Sequence, residues 1–244
     1  IVNSGIKEVV IGSMDINPDV NGKGIDYLKA HNIKIVNNIL SDQSQALNIG
    51  FFSRMSRGIP YVRSKIASSI DGRTSLKNDE SKWITSDFSR NDVQQHRKEA
   101  CAILTGVGTI NKDNPMLNVR SNDEVSQPYR VILDTHLSIN IESNILQQKK
   151  IIIVFNDDPK NQFKKLNEMG VQLFKLPLFN GFIDLNLLMQ KLSELEFNDI
   201  LVESGPTLNG QLLEQNLIDE LILYIAPILM GGEASSMFND PVLY

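Results

Sequence analysis

The chain has 244 residues, which is more than one average domain and fewer than two, so we expect either one core-bearing domain with an appendage or a single large α/β unit. It carries 24 Lys and Arg against 29 Asp and Glu, and 41% of its residues are hydrophobic. This composition excludes a disordered chain and argues against a general nucleic-acid binder. Cys101 is the single cysteine and the 3 histidines are far apart in sequence, so we predict neither disulfides nor a soft-ligand metal site.

From this sequence we expect neither a membrane span nor a signal peptide. No apolar run approaches the roughly 18–20 residues that span a membrane, and the start lacks a basic stretch followed by a hydrophobic core. We therefore predict a cytoplasmic protein that does not enter a membrane. Ile1 is not an initiator Met and no stop signal is evident at Tyr244, so we expect an excerpt of a longer chain with a truncated C-terminal end.

The first 57 residues predict a small unit of their own. Apolar runs at 6–12 and 33–36 predict short strands, and 22–32 predicts a helix between them. A β-α-β fragment of this size cannot bury enough surface to stand alone, so it either packs on the rest or ends another domain. A further helix is predicted over 42–55, and the break at 56–60 places the domain boundary near Gly58.

Beyond Gly58, strand-like runs alternate with helix-like runs. The predicted strands are 61–67, 101–104, 130–134, 150–155, 171–176, 200–203 and 221–226. The predicted helices are 86–99, 160–169, 185–195 and 207–216. Alternation of this kind predicts an α/β sheet with helices on both faces.

Ligands of open α/β sheets bind beyond the carboxyl ends of the strands, where two loops contain unusual glycines. Gly106 and Gly108 follow a predicted strand and allow backbone N–H groups to approach a phosphate or a planar ring, although the motif by itself is weak. The loop at 202–210 places Glu203 at a strand end before a helix that opens with Pro206. It outlines an anion-binding site, and a plain strand-turn-helix connection is an equal alternative.

The segment from Arg90 to Arg120 is locally basic, with five Lys and Arg against three acids. Arg90 and Arg97 share one helix face, and such a pair suits a phosphate monoester that arginine binds through two parallel hydrogen bonds. A solvated basic face is an equal alternative. The Asp-Gly turn at 68–74 and the only Trp, at 83, favour a hairpin with a packed indole when they are considered alone.

Seven motifs in one order make the chain resemble a known family. They are Pro60-Tyr61-Val62 with Lys65, SIDGRT at 69–74, ESKWITS at 80–86, RxDVQxxR at 90–97, AILTG at 102–106, DNPxLxVR at 113–120 and ESGPTL at 203–208. From about Gly58 to its end the chain strongly resembles the reductase domain of bifunctional riboflavin-biosynthesis deaminase/reductases. The resemblance implies a dihydrofolate reductase-like α/β fold, with a mixed sheet flanked by helices.

The same resemblance extends to the first segment. VVIGSMDINP at 9–18 and GKGI at 22–25 are similar to the last strand and helix of the deaminase domain, so residues 1–57 are expected to be a cytidine deaminase-like β-α-β remnant with a linker helix. Residues 58–244 are then the reductase domain. The zinc signature of the deaminase is absent from this sequence. Deamination, and the zinc that it needs, are therefore expected only in a full-length parent.

The resemblance also implies site residues, a cofactor and a substrate. It implies that NADPH contacts Ala67, Trp83, Thr109, Asp113, Gly205, Pro206, Thr207, Leu208, Asn209 and Gly210. It implies that Ser81, Arg97, Leu117, Arg120 and Glu203 hold 5-amino-6-(5-phosphoribosylamino)uracil, with both arginines on its phosphate. The implied chemistry is hydride delivery to C1′ of the opened sugar as its imine, with Asp113 as the candidate that orients or protonates.

Two alternative functions and one question of assembly remain open at this point. The chain could reduce the related 2,5-diamino pyrimidinone before deamination, or keep the fold as a non-catalytic nucleotide-binding module. The question of assembly concerns the nearly wholly apolar run at 221–230, which predicts either a homodimer contact or a central strand covered by its own helices.

Overall fold

The computed structural model describes residues 1–76, 86–121 and 125–239. Its strands are β1 (Glu8–Val10), β2 (Lys34–Val36), β3 (Tyr61–Ser69), β4 (Arg73–Ser75), β5 (Ala102–Gly106), β6 (Tyr129–Leu133), β7 (Ile151–Phe155), β8 (Gln172–Lys175), β9 (Leu178–Phe179), β10 (Phe182–Ile183), β11 (Asp199–Val202), β12 (Glu220–Ala226) and β13 (Ser235–Ser236). Its α-helices are α1 (Lys23–Ala30), α2 (Ser41–Leu47), α3 (Ile49–Arg57), α4 (Asp87–Glu99), α5 (Val107–Asp113), α6 (Phe163–Glu168), α7 (Leu185–Glu194) and α8 (Pro206–Glu214). No helix in these ranges is long and apolar enough to cross a membrane.

One seven-stranded sheet, in the order β12-β3-β11-β5-β6-β7-β8, forms the centre of the molecule. The seven strands predicted beyond Gly58 are these seven, and the predicted α/β class is confirmed. A mixed sheet was expected, but all the described strand pairs of this sheet are parallel. Helical crossovers connect them, and a crossover returns the chain in the same direction. All seven carboxyl ends therefore lie along one edge.

Apolar layers cover both faces of the sheet, as predicted. Every residue of β7 is buried, because a parallel strand has helices on both sides. Ile152 and Val154 belong to the core layer that contains α7 and α8, whereas Ile151 and Ile153 belong to the layer that contains α5 and α6. The two-residue period of the strand separates the layers.

The first segment forms the predicted β-α-β unit, with β1 and β2 paired in parallel. The single helix predicted over 42–55 is wrong, because the structure has two helices, α2 and α3, that break at Asn48. The backbone of Asn48 leaves the helical region, with φ of −129°, and its side-chain Nδ2 donates to the carbonyl of Ser44. α3 then packs on the main sheet, where Arg57 makes two hydrogen bonds of 2.6 and 2.8 Å to the carboxylate of Asp219.

The glycine loop predicted after β5 is also wrong in part. Gly106 is extended, with φ of −98°, but Val107 and Gly108 already belong to the first turn of α5. Glycine disfavours helices by about 1 kcal/mol, so the local sequence alone predicts a loop. Burial of Ile110 in the core layer overrides that preference.

Replacing Gly50 with Ala is expected to destabilise the packing of α3 on the sheet. A Cβ atom there would lie 2.6 Å from the carbonyl oxygen of Asn198 and 2.9 Å from its carbonyl carbon, so the helix must shift. Overpacking of this kind costs about 1–3 kcal/mol, which urea titration would detect as a lower free energy of unfolding.

Gly24→Ala is the matched control for this variant. Gly24 is also the second residue of its helix, and a Cβ atom there meets nothing within 4 Å. Its expected effect is neutral or a gain of roughly 0.5–1 kcal/mol, because Ala loses less backbone entropy than Gly. Equal stability of the two variants would contradict the close approach at Gly50.

Candidate active site at the carboxyl edge of the sheet

A cleft of about 800 Å³ lies along the carboxyl edge of the sheet. Most of the predicted site residues line it together. These are Ala67, Arg97, Thr109, Asp113, Leu117, Glu203, Gly205, Pro206, Thr207 and Leu208. They come from β3, α4, α5, the segment after it, and the β11–α8 connection, so the parallel sheet unites residues that are far apart in sequence.

Other predicted site residues are not on the described lining of this cleft. Ser81 and Trp83 lie outside the described residues. Arg120 is exposed and is not among the lining residues, and its backbone N–H donates to Gln94 at 2.8 Å.

Asn209 and Gly210, predicted to contact the cofactor, face the protein interior instead. The Asn209 side chain is 1% exposed and its oxygen accepts from the hydroxyls of Ser64 at 3.2 Å and Ser204 at 2.8 Å. A Cβ atom at Gly210 would clash with the carbonyl oxygen of Asn239. Both residues lie about one turn into α8, where the helix faces its packing partners rather than the cleft.

A buried ion-pair cluster occupies one end of the cleft. Arg97 donates from Nε and Nη2 to the two oxygens of Glu203, at 2.5 and 3.0 Å, and from Nη1 to the carbonyl of Asn118 at 3.0 Å. Lys65 Nζ lies 3.7 Å from the same carboxylate. The Arg97 and Glu203 side chains are only 12% and 9% exposed. Glu203 is thus held from two sides at the end of β11.

The charge of Glu203 depends on this cluster. Burial alone would raise the pKa of the Glu203 carboxyl, but the positive charges of Arg97 and Lys65, with their hydrogen bonds, outweigh it and hold that pKa below its ordinary value. Glu203 is therefore ionised at neutral pH and can accept hydrogen bonds from a ligand.

The sequence analysis did not identify Lys65 as a site residue. It also did not identify Tyr224 as a residue that stabilises the position of α4. A signal for Lys65 existed, because the two-residue period of β3 puts it on the same face as Ala67. Tyr224 of β12 donates to Asp92 of α4 at 2.6 Å, and burial followed by this hydrogen bond raises the pKa of Tyr224. The bond joins the edge strand to the helix that carries Arg97. No sequence pattern indicates this contact.

Two helix N-termini open into the middle of the cleft. Gly106 precedes α5 and Gly205 precedes α8, and neither helix has a side-chain cap. A Cβ atom at either glycine meets nothing within 4 Å, and the φ angles of −98° and −79° are open to any residue. Neither backbone strain nor internal packing therefore requires glycine here. The open space suits a ligand that comes close to the backbone N–H groups.

A short two-stranded unit, β4 with β13, borders the cleft through Thr74, Ser75 and Ser235. Asp71 anchors it, since its carboxylate accepts from the backbone N–H of Gly231 at 2.8 Å. The Ser69 hydroxyl first, and then the Gly231 N–H, hold the pKa of Asp71 at about 2. The Asp-Gly turn predicted at this place is confirmed, with Gly72 at φ of 72°. The hairpin predicted around it is wrong for the described strands, because β4 pairs with β13 and not with β3, and the indole of Trp83 lies outside the described residues.

The lining has the chemistry of a site for a phosphorylated ligand. Cations outnumber carboxylates among its described residues, which include Lys65, Arg90, Arg97 and Lys112 against Asp113 and Glu203. A parallel sheet with uncapped helix starts and excess cations at its carboxyl edge is typical of α/β proteins that bind phosphorylated ligands.

Residues 60–243 match the RibD C-terminal domain family, and the chain belongs to that family. The riboflavin biosynthesis protein RibD of Buchnera aphidicola is 40% identical over 96% of this chain and 66% of its own length. The solved structure of Acinetobacter baumannii RibD, form 1, has a TM-score of 0.90 and 40% identity, and covers 100% of this chain and 67% of that one. A Thermotoga maritima structure described as a diaminohydroxyphosphoribosylaminopyrimidine deaminase/5-amino-6-(5-phosphoribosylamino)uracil reductase has a TM-score of 0.83 and 27% identity, over 99% of this chain and 66% of that one.

The chain thus spans about two thirds of the length of the curated relatives that it matches. The dihydrofolate reductase-like class that the resemblance implied is confirmed by these neighbours, with a central parallel sheet flanked by helices.

Glu203→Gln is expected to lower the free energy of unfolding at neutral pH by about 3–5 kcal/mol, because Arg97 and Lys65 would stay buried without their counter-charge. The depressed pKa of Glu203 makes its contribution fully present above the ordinary carboxyl pKa. The contribution disappears as the pH falls from there through the folded-state pKa. The wild-type advantage should therefore shrink in acid, as measured by urea titration at several pH values.

Glu214→Gln is the control, since Glu214 is an exposed residue of α8. It should change the free energy of unfolding by less than about 0.5 kcal/mol at every pH. A Glu203→Gln variant as stable as this control at neutral pH would refute the stabilising role of the cluster.

Proposed function

We propose that the chain is an NADPH-dependent reductase that converts 5-amino-6-(5-phosphoribosylamino)uracil to its ribityl product in riboflavin biosynthesis. The observation that carries this proposal is one cleft that joins the helix starts of α5 and α8 to the cluster of Lys65, Arg97 and Glu203. The Thermotoga maritima relative is described as a protein with this reductase activity, and membership of the RibD C-terminal domain family supports the same assignment.

The residues of the cleft suit a dinucleotide. The backbone N–H groups of Thr207 and Leu208, in the first turn of α8, would hold the pyrophosphate together with Thr109 of α5. Ala67 lies beside Lys65 on β3 and would leave room for a planar ring next to the ion-pair cluster. When bound, NADPH supplies the hydride. Trp83 stays a proposed cofactor contact, outside the described residues.

The ion-pair cluster would bind and orient the substrate. Ionised Glu203 would accept hydrogen bonds from ribose hydroxyls or pyrimidine N–H groups. A guanidinium has five N–H donors, and Glu203 and the Asn118 carbonyl engage three of those of Arg97, which leaves donors for the phosphate. Lys65 would add a second positive charge. Leu117, which lines the cleft, completes the proposed substrate contacts. Ser81, outside the described residues, and Arg120, which is not on the described lining, stay proposed contacts from the family resemblance alone.

Asp113 would manage the proton of the reaction. It is the last residue of α5, it is exposed, and it lines the cleft. From there its carboxyl can orient or protonate the nitrogen of the opened sugar, either directly or through a water molecule. Enclosure of the reacting atoms matters more than a strong nucleophile, because hydride transfer depends on orientation.

Gly205→Ala is expected to raise the Kd of NADPH by about tenfold or more, because a Cβ atom would occupy the open space in front of the α8 N–H groups. A hydrogen bond to a charged group contributes about 1.5–3 kcal/mol, and each 1.4 kcal/mol is tenfold in affinity. Fluorescence titration with NADPH measures the effect, and Gly24→Ala, remote from the cleft, is the control.

The reaction is tested by following NADPH oxidation by the wild-type protein with the deaminated pyrimidine, with its 2,5-diamino precursor, and without either compound. Oxidation with the deaminated compound alone supports the proposal. Preference for the 2,5-diamino compound would assign the related reductase instead. NADPH binding without turnover of either compound would indicate a non-catalytic module.

We also propose that the chain forms a homodimer through β12. The alternative of a central strand is wrong, because β12 lies at the edge of the sheet. Leu221, Leu223 and Ile225 point to one face and are 43%, 39% and 60% exposed. Three neighbouring apolar side chains on an edge strand favour burial by a second copy.

Light scattering should show about twice the 27.4 kDa of one chain. Ile225→Asp is expected to reduce this mass to one chain without loss of the far-UV circular dichroism, since it puts a charge in the proposed contact. Leu47→Asp is the control, because Leu47 is 85% exposed and lies far from β12 in sequence. A monomeric wild type at all concentrations would disprove the dimer.

A further inference from the structure

The end of the cleft opposite the ion-pair cluster has a different chemistry. Leu133 and Thr135, at the carboxyl end of β6, line it together with Phe182 and Ile183 of β10. In the sheet, β11 and β5 separate β3 from β6. Three interstrand steps of about 4.8 Å put this apolar end roughly 14 Å from Lys65 and Ala67. That distance suits an extended dinucleotide with its phosphates at the start of α8 in between.

The hairpin β9–β10 presents Phe182 at the rim of the cleft. Its two-residue turn consists of Asn180 and Gly181, both with positive φ, which is the preferred chemistry of a tight hairpin. Ile183 is 3% exposed and anchors the hairpin in the core, whereas Phe182 is 47% exposed although it lines the cleft. A large aromatic ring is therefore held in place at the rim with much of its surface uncovered.

The opposite wall of this end suits a planar heteroaromatic ring better than an aliphatic group. Leu208 of α8 lines the cleft and belongs with Leu133 and with Ile183 of the hairpin to one core layer, so this end of the cleft has apolar side chains in its lining. Gln211, one turn further along α8, also lines the cleft, and its amide nitrogen has no hydrogen-bond partner among the described residues. An orphaned amide donor favours a ligand with ring-nitrogen acceptors.

We propose that Phe182 stacks on the adenine ring of the dinucleotide and so determines the affinity of the cleft for the adenine half of the cofactor. This inference rests on the proposed NADPH-dependent function. Phe182 acts by binding alone and takes no part in hydride transfer, which occurs at the other end of the cleft.

Phe182→Ala is expected to raise the Kd of NADPH by about 5- to 100-fold, the range found when aromatic residues that stack on bases are truncated. Phe182→Tyr should keep the affinity within about threefold, since it preserves the ring. The Kd of reduced nicotinamide mononucleotide, which lacks adenine, should not change in either variant. Calorimetric titration measures all of these affinities.

Phe179→Ala is the matched control. Phe179 pairs directly with Phe182 across the hairpin and is 51% exposed, but it is not among the residues that line the cleft. An equal loss of NADPH affinity in Phe179→Ala would indicate a general effect of the hairpin and would overturn the assignment. Unchanged NADPH affinity in Phe182→Ala would overturn it as well, with the proposed function intact. Failure of the wild type to bind NADPH would instead refute the proposed function itself.

Discussion

Parallel pairing of the seven central strands is the constraint on which the rest of the molecule depends. Because every strand of the sheet runs in the same direction, each connection must cross back over a face, and the carboxyl ends collect at one edge. The crossovers bury both faces, which explains why β7 has no polar residue. The loops that follow the carboxyl ends of the strands are not buried between the helices and the sheet. The cleft occupies the edge where those loops meet.

Glu203 shows how the fold sustains a charge in a nearly buried place. A carboxylate that loses its water is unstable unless cations and hydrogen bonds replace that water. Arg97 approaches from α4 and Lys65 from the neighbouring strand β3, so two different elements supply the compensation. The same cations give the cleft its excess of positive charge. The stability of the strand end and the proposed affinity for an anionic ligand therefore depend on the same side chains.

The sequence predicted the seven strands and four of the helices between them because their apolar periodicity is strong and local, whereas α5 was missed because its glycines favour a loop. Most of the residues that it proposed as cofactor or substrate contacts, through the motifs of a known family, line the cleft at one edge of the sheet. The sequence did not predict the bond between Arg97 and Glu203, which are 106 positions apart. Asn209 and Gly210 were assigned to the cofactor because a motif does not indicate which face of a helix is turned inward. The break at Asn48 was missed because apolar spacing continues across it.

In the edge strand β12, the pairing register decides which apolar side chains lie on each of the two faces of the sheet. Tyr224 lies opposite Ala67 of β3, so its ring faces α4 and reaches Asp92, while Leu223 and Ile225 face the other side. A shift by one residue would exchange the two sets, since side chains alternate along a strand. Such a shift would turn Tyr224 outward, break its bond to α4 and remove a support of the helix that carries Arg97. The apolar run was ambiguous in sequence because both sets are hydrophobic. The phenol hydroxyl distinguishes them in the fold, because a polar group on the α4 side needs a partner and Asp92 provides it.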